Sequence, residues 1–316
     1  MNSDYGSDPS AHAPVFQRSF LHPRHWGTWL LFGIVYLSHL LPNKWRYSIG
    51  GRIGDLFRKL NKKRYVIARQ NIAVCFPDMP DHEQMQLLDE HYRSYGRGIV
   101  DLGVIWWASP KRLDKMTHFK GLHNLIDAVE RGERVIIFTP HAPGLDFGGI
   151  MVSRYVHTLA MMKSLANPLQ DWFVTRGRCR FKGSVYLRER GLRPLLRGIR
   201  ENRLCFYMPD EDFGGRHSVF VPFFGVQAST LTTLGRMAKS TGAVVMPCFS
   251  RILPDGRGYE VFIDSPMENF PSGDDIADAT RMNEVLEEGI ARAPEQYMWT
   301  LRWFKTRPEG EAPIYS

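Results

Sequence analysis

Uninterrupted apolar runs recur through the later two thirds of the chain, each stopped by proline, glycine or a cluster of charge. The clearest is Val135-Ile136-Ile137-Phe138-Thr139, which ends at Pro140. A run of β-favouring residues without polar alternation predicts a strand buried on both faces. Pro140 and the Pro143-Gly144 pair forbid its continuation. Similar runs predict strands over 158–162, 184–187, 204–208, 244–251 and 259–264. Between them, apolar positions at helical spacing predict helices near 146–155, 191–202, 229–241 and 276–293. Strands alternating with helices define an α/β fold, a mainly parallel sheet flanked by helices on both faces. No internal repeat is visible.

The first third of the chain has a different texture. Residues 1–25 are rich in Ser, Asp, His and Pro without periodicity and are expected to form a mobile tail. Residues 26–42 run from Trp26 to Leu41 with no charged side chain and close at Pro42. A helix between Pro23 and Pro42 would be about 27 Å long, just short of a hydrocarbon core of about 30 Å. An N-terminal membrane-anchoring helix is therefore expected; a cleaved signal peptide would need a shorter charged start and a small-residue cleavage site. Arg18 and Arg24 precede the segment, whereas Lys44, Arg46, Arg52, Arg58, Lys59, Lys62, Lys63 and Arg64 follow it. That asymmetry places the rest of the chain on the cytoplasmic side.

Residues 43–115 are expected to hold interfacial and accessory amphipathic helices. Trp45, Ile49, Ile53, Leu56, Phe57 and Leu60 recur at helical spacing with cations between them. This is the pattern of a helix lying in an anionic membrane surface; an ordinary core helix is the alternative, and adjacency to the anchor favours the membrane. A second amphipathic helix over 82–107 follows the turn at Phe76-Pro77-Asp78-Met79-Pro80. The main α/β domain then occupies 116–308, and 309–316 form a C-terminal tail.

Composition narrows the partners. With 43% hydrophobic and 23% charged residues the chain is an ordered one, and 316 residues suffice for a full core. The formal charge of +8 favours anionic partners such as lipid head groups, phosphates, an acidic protein or nucleic acid. No nucleic-acid-binding fold signature is present, so nucleic acid is not expected as a partner. The four cysteines, Cys75, Cys179, Cys205 and Cys248, are far apart and contain no C-x-x-C pair. They speak against both zinc and a disulfide framework, and no metal is expected.

His141 follows Pro140 at the end of the predicted central strand, where open α/β sheets place their ligands. Asp146 lies five residues on. Along one continuous helix that spacing would separate the two side chains by about 140°. A strand–turn–helix break removes the obstacle, with His141 on the loop and Asp146 in the first helical turn. Asp146 is then expected to accept the Nδ1 or Nε2 proton of His141, fix the tautomer and leave the other nitrogen as a base. The plainer alternative is a buried histidine satisfied by a nearby carboxylate.

Two charged stretches complete the candidate site. Arg176, Arg178, Arg180, Lys182, Arg188, Arg190, Arg193, Arg197, Arg200 and Arg203 crowd one segment. Arg193, Arg197 and Arg200 fit a solvated helix face, whereas Arg176, Arg178 and Arg188 are candidates for gripping phosphate, which suits the planar guanidinium. The apolar run 204–208 ends at Pro209 and is followed by Asp210, Glu211 and Asp212. Adjacent carboxylates repel unless cations, donors or a metal offset them, and the nearby arginines are the economical partners. Phe220-Val221-Pro222-Phe223-Phe224-Gly225 is an aromatic patch that suits an acyl channel or core equally.

Taken in order, these motifs resemble a known family. His141-x4-Asp146, the arginine-bearing stretch around Gly183–Arg188, Pro209-Asp210-Glu211-Asp212-Phe213-Gly214 and Val244-Val245-Met246-Pro247 follow the four blocks of the glycerolipid acyltransferase superfamily. Within it the chain is more similar to the bacterial lipid A late (secondary) acyltransferases. That likeness is carried by Asn71 with Cys75-Phe76-Pro77, Asn167-Pro168-Leu169, Arg176-Gly177-Arg178, Val221-Pro222-Phe223-Phe224-Gly225, Tyr297-Met298-Trp299 and Phe304-Lys305-Thr306-Arg307-Pro308.

The resemblance implies transfer of an acyl chain from an acyl carrier protein thioester to a hydroxyl of a lipid A precursor, at the cytoplasmic face of the bacterial inner membrane. It implies no cofactor beyond that co-substrate and no covalent acyl-enzyme. His141 would be the general base and Asp146 its partner; Arg176, Arg178, Arg188, Asp210, Glu211 and Asp212 would bind substrate. Pro140 stands where the glycerol branch has asparagine, and Asp210-Glu211-Asp212 replaces its Glu-Gly-Thr-Arg. Both departures favour lipid A over phosphatidate synthesis. Acylation of a lysophospholipid or an amino-acid-derived lipid is the alternative. A serine hydrolase is disfavoured because no G-x-S-x-G elbow is present.

Overall fold

The computed structural model describes residues 8–215 and 217–315. Five helices come first: α1 (Trp26–Ser38), α2 (Asn43–Leu60), α3 (Lys62–Cys75), α4 (Asp81–Trp107) and α5 (Pro110–Met116). The chain then alternates through β1 (Thr117–Lys120), α6 (Leu122–Glu130), β2 (Val135–Phe138), α7 (Leu145–Val152), β3 (Thr158–Met162), α8 (Pro168–Arg178), β4 (Gly183–Leu187), α9 (Arg193–Arg200) and β5 (Leu204–Tyr207). A hairpin of β6 (Ser218–Phe223) and β7 (Val226–Leu231) precedes α10 (Thr233–Thr241), β8 (Val244–Ile252), β9 (Tyr259–Ile263) and α11 (Asp275–Ala291).

Seven of these strands form one sheet in the order β1-β9-β8-β2-β5-β3-β4. Every pairing in it is parallel except β8 with β9. The unbroken apolar runs are explained by two-sided burial. Ile136 and Phe138 of β2 join one core with α9, α10 and α11, while Val135 and Ile137 join another with α6 and α7. Successive side chains on a strand point to opposite faces, so both faces need cover. The expected sheet and its flanking helices are present.

The hairpin was not anticipated. The expected helix over 229–241 begins only at Thr233, because Ser229, Thr230 and Leu231 belong to β7. Its tight turn uses Phe224 and Gly225 at φ 48° and 75°. Consecutive left-handed residues of this kind match the right-handed twist of paired strands. Of the aromatic patch, Phe223 is core, packed on Trp303 and Tyr297, whereas Phe220 is exposed.

The two ends and the expected anchor segment are all seated on the rest of the chain. The described part of the N-terminal segment, expected as a mobile tail, makes specific contacts. His12 N–H donates to the Val185 carbonyl at 2.7 Å, Asp8 accepts from Tyr186 Oη at 2.7 Å and from Arg197, and Phe20 is buried. The C-terminal residues also fold back: Tyr315 Oη donates to Asn71 Oδ1 at 2.6 Å. Both segments carry polar anchors whose partners lie far along the chain, which local composition does not reveal.

The anchor helix α1 has 13 residues, about 20 Å at 1.5 Å per residue, and ends before Pro42. Among the described residues no helix is long and apolar enough to cross a membrane. Helix α1 packs on α4 and α8: Phe32 stacks on Phe173 of α8 at 4.2 Å, and Ser38 Oγ donates to the Val100 carbonyl of α4 at 2.9 Å. Its outer side leaves Trp26, Leu30, Leu31, Ile34 and Leu37 exposed.

Helix α2 buries a glycine face, not its isoleucines. A Cβ on Gly54 would run into the Tyr92 carbonyl, and one on Gly96 into the Gly50 carbonyl, so α2 and α4 cross backbone to backbone. Close approach of this kind requires residues without a side chain. Trp45, Leu56 and Leu60 are left exposed beside Lys44, Arg52 and Lys59.

Candidate active site

The sheet places two loops side by side. Strand β2 pairs in parallel with β5 so that Phe138 lies opposite Tyr207. Three residues beyond each of these stand His141 and Asp210. After β2 the chain turns at Ala142–Gly144 and starts α7; after β5, Pro209 ends the strand. Both loops thus emerge at the carboxyl edge of the sheet, the usual place for a ligand in open α/β folds.

His141 and Asp210 meet there through two hydrogen bonds. The His141 main-chain N–H donates to Asp210 Oδ2 at 2.7 Å, and its ring Nδ1 lies 2.7 Å from Oδ1. Asp210 is completely buried, whereas the His141 side chain keeps 25% of its surface accessible. The His141 carbonyl accepts from the Met298 N–H at 3.0 Å. Asn71 secures that neighbouring segment, donating through Nδ2 to the Trp299 and Leu301 carbonyls, both at 2.6 Å. The Tyr297-Met298-Trp299 block therefore serves to hold the histidine loop.

The other ring nitrogen, Nε2, is 3.9 Å from Glu211 Oε1, beyond hydrogen-bonding range. Glu211 itself accepts from Arg188 Nη1 at 2.9 Å, and Arg188 lies over the Phe213 ring at 4.6 Å. Burial alone would push the imidazole pKa down. The Asp210 charge and hydrogen bond, with Glu211 adding to them, more than offset burial and the opposing Arg178, so His141 titrates above its ordinary 6.5.

The expected His141–Asp146 pair is not formed. Arg178 donates to Asp146 from Nε at 2.9 Å and from Nη2 at 3.2 Å, engaging both carboxylate oxygens. Helix geometry accounts for this. Gly148 faces Ser250 on β8, close enough that a Cβ would collide with the serine. Asp146, two residues earlier, projects about 200° around the helix, away from β8 and toward α8. Ionic attraction to Asp146, outweighing burial, raises the Arg178 pKa.

The remaining candidates separate. Arg176, also two residues from Arg178 on α8, is exposed with its guanidinium 5.6 Å from the Trp172 ring. Asp212 accepts from the Thr306 N–H at 2.6 Å and from Thr306 Oγ1 at 2.9 Å, tying down the C-terminal segment. Asp210, sealed beneath His141, presents no surface to a substrate. Among the described residues, Glu211 alone of the three consecutive acids takes an arginine, and their repulsion is relieved by three different partners. Among the described residues no cluster of His, Cys, Asp or Glu is arranged to hold a metal ion.

Beside Asp146 and Arg178 a cleft of about 80 Å³ opens between α7 and the sheet, lined by Leu145, Ile150, Ala160, Val185 and Phe206. It is smaller than the roughly 300–1,000 Å³ of typical ligand pockets, so it has room for a segment of an apolar chain.

Residues 13–306 match the bacterial lipid A biosynthesis acyltransferases. The lipid A biosynthesis lauroyltransferase of Escherichia coli (strain K12) is 34% identical over 96% of this chain and 99% of its own. The palmitoleoyltransferase of the same organism is 35% identical over 95% and 98%, and the myristoyltransferase 32% over 97% and 95%. With the α/β sheet and its strand-end histidine, these likenesses define the protein as an acyltransferase. The chain belongs to the bacterial lipid A biosynthesis acyltransferase family, as its motifs led us to expect.

Proposed function

We propose that this enzyme moves a fatty acyl chain from an acyl carrier protein thioester to a hydroxyl of a lipid A precursor, with His141 as general base. The observation that carries the reading is the partly accessible His141 at the carboxyl edge of the sheet, its Nε2 beyond hydrogen-bonding range of Glu211, with an apolar cleft opening beside Asp146 and Arg178. Nε2 removes the hydroxyl proton as the oxygen attacks the thioester carbonyl. The tetrahedral intermediate collapses to the ester, and the departing thiolate recovers the proton from the imidazolium. No covalent acyl-enzyme is needed. General-base assistance of this type is worth about 10²–10⁴ in rate.

The charged residues divide the work of binding. Arg178, committed to Asp146 through Nε and Nη2, has Nη1 for a phosphate of the acceptor or the thioester oxyanion. Arg176 and Arg188, both exposed, are suited to anionic groups of the acceptor or of the acidic carrier protein. The exposed apolar side of α1 with Trp45, Leu56 and Leu60 of α2 supports docking on the cytoplasmic face of the inner membrane. On this reading α1 lies in the interface instead of spanning the bilayer, with neighbouring cations against anionic head groups.

The test is transfer of a radiolabelled acyl chain from acyl carrier protein to a panel of acceptors. His141→Ala should lose at least 10²-fold in kcat with the lipid A precursor while retaining the wild-type melting point. Turnover near the wild-type rate would refute the assignment of the base. Equal turnover on a lysophospholipid would refute the assignment of the acceptor.

A further inference from the structure

We infer that Asp210, and not Asp146, is the carboxylate that orients His141 for proton abstraction, with Asp146 acting on Arg178 instead. This deepens the reading given above and rests on it.

The geometry supplies three arguments. First, Asp210 binds one residue at two points, Oδ2 receiving the His141 main-chain N–H and Oδ1 the ring, each at 2.7 Å. The two bonds close a ring that fixes the loop and the imidazole plane together. Second, Asp210 is wholly buried, so water does not compete for either oxygen. A buried carboxylate with both oxygens accepting is satisfied only while Nδ1 carries the proton, and that tautomer leaves the Nε2 lone pair to the substrate. Third, Asp146 is not available, because Arg178 occupies both its oxygens in a bidentate pair.

The other groups facing His141 do not replace Asp210. Glu211 lies on the Nε2 side at 3.9 Å and is held by Arg188. Arg178 opposes a proton on the ring, and so disfavours the charged form. Tyr297 is neutral: burial, then the Asp210 charge, hold its phenol well above the ordinary value. Asp210 is therefore the group whose removal changes both the tautomer and the basicity of His141.

The experiment compares pH profiles of kcat for the full-length enzyme, Asp210→Asn and Asp146→Asn. An amide at 210 cannot accept at both points, so one donor of His141 loses its acceptor. Asp210→Asn is expected to lower kcat by roughly 10²–10⁴, the scale seen when a triad carboxylate becomes an amide, and to move the acid limb to lower pH. Asp146→Asn is expected to leave that limb in place and to act through KM, by loosening Arg178. Asp210→Glu should recover at least part of the lost rate. A limb that stays fixed in Asp210→Asn, or that moves as far in Asp146→Asn, overturns the inference.

Nitrogen-15 spectra of histidine in the unmodified enzyme give a measurement independent of any variant. Above the His141 pKa they should show Nδ1 protonated and Nε2 bare; the reverse tautomer would also overturn the assignment. Failure of the general-base reading is distinguishable, since His141→Ala would then stay active. If His141→Ala is inactive and the Asp210→Asn profile superposes on the wild type, only the present inference falls.

Discussion

His91 sets an acid limit on stability that can be worked out in advance. It lies on α4 with no accessible surface, against the main chain of Glu295 and Tyr297 and beside the Tyr92 ring at 5.2 Å. Burial lowers its pKa from 6.5 to about 4, because the main-chain contacts do not repay the lost hydration of the cation. Between those values the unfolded chain binds a proton that the folded protein refuses. Stability therefore rises with pH through this window and is lost as pH falls through it. At pH 5 the linkage amounts to about 2 kcal/mol, growing toward about 3 kcal/mol below pH 4, at 1.36 kcal/mol per unit. For a chain of this length that corresponds to a fall in melting temperature of roughly 4 °C at pH 5. His91→Phe, which keeps a ring but cannot titrate, should lack this component. Thermal unfolding in detergent at pH 7.5 and pH 5.0 checks it as the wild-type change minus the variant change. An identical pH dependence in the two proteins would refute the argument. The feature also bears on function, since Tyr297 and Met298 hold the His141 loop.

Three further outcomes follow from the helical layer. Leu30→Glu with Leu37→Glu alters exposed positions on the outer side of α1, so the melting point should hold while flotation with anionic vesicles falls at least tenfold. Burial of each leucine in the bilayer would contribute about 1.5–3 kcal/mol, and unchanged flotation would exclude α1 from the membrane contact. Gly54→Ala should destabilise by about 1–3 kcal/mol, since its Cβ meets the α4 backbone, which has nowhere to move. Gly33→Ala, where nothing lies within 4 Å, should be neutral or stabilising by up to about 1 kcal/mol in the same melting experiment.

The sheet was legible because two-sided burial leaves an unmistakable trace, and Val135–Phe138 illustrates it: no polar residue interrupts a strand covered on both faces. His141 was legible for a related reason, since the proline that ends the strand also fixes where the loop begins. Its partner was not. Asp210 is 69 residues away, and it reaches His141 through the order and register of β2 and β5, which depend on long-range pairing. Asp146 attracted attention by being near in sequence, yet helix rotation turned it to Arg178. In α2 it is Gly50 and Gly54 that make the closest approach to α4, a contact that the periodicity of the apolar residues does not reveal. Glycines leave no hydrophobic signal for periodicity to detect.

The segment over residues 8–12 has a consequence at the outermost strand. Strand β4 ends the sheet, and its free side would offer unpaired main-chain groups to any passing extended peptide. His12 occupies the Val185 carbonyl, Asp8 holds Tyr186, and Arg190 grips the Ser10 carbonyl at 3.1 Å, so the rim is shielded by the protein's own chain. Wherever copies of the chain are crowded together, that shielding keeps one molecule's β-structure from annealing to the next.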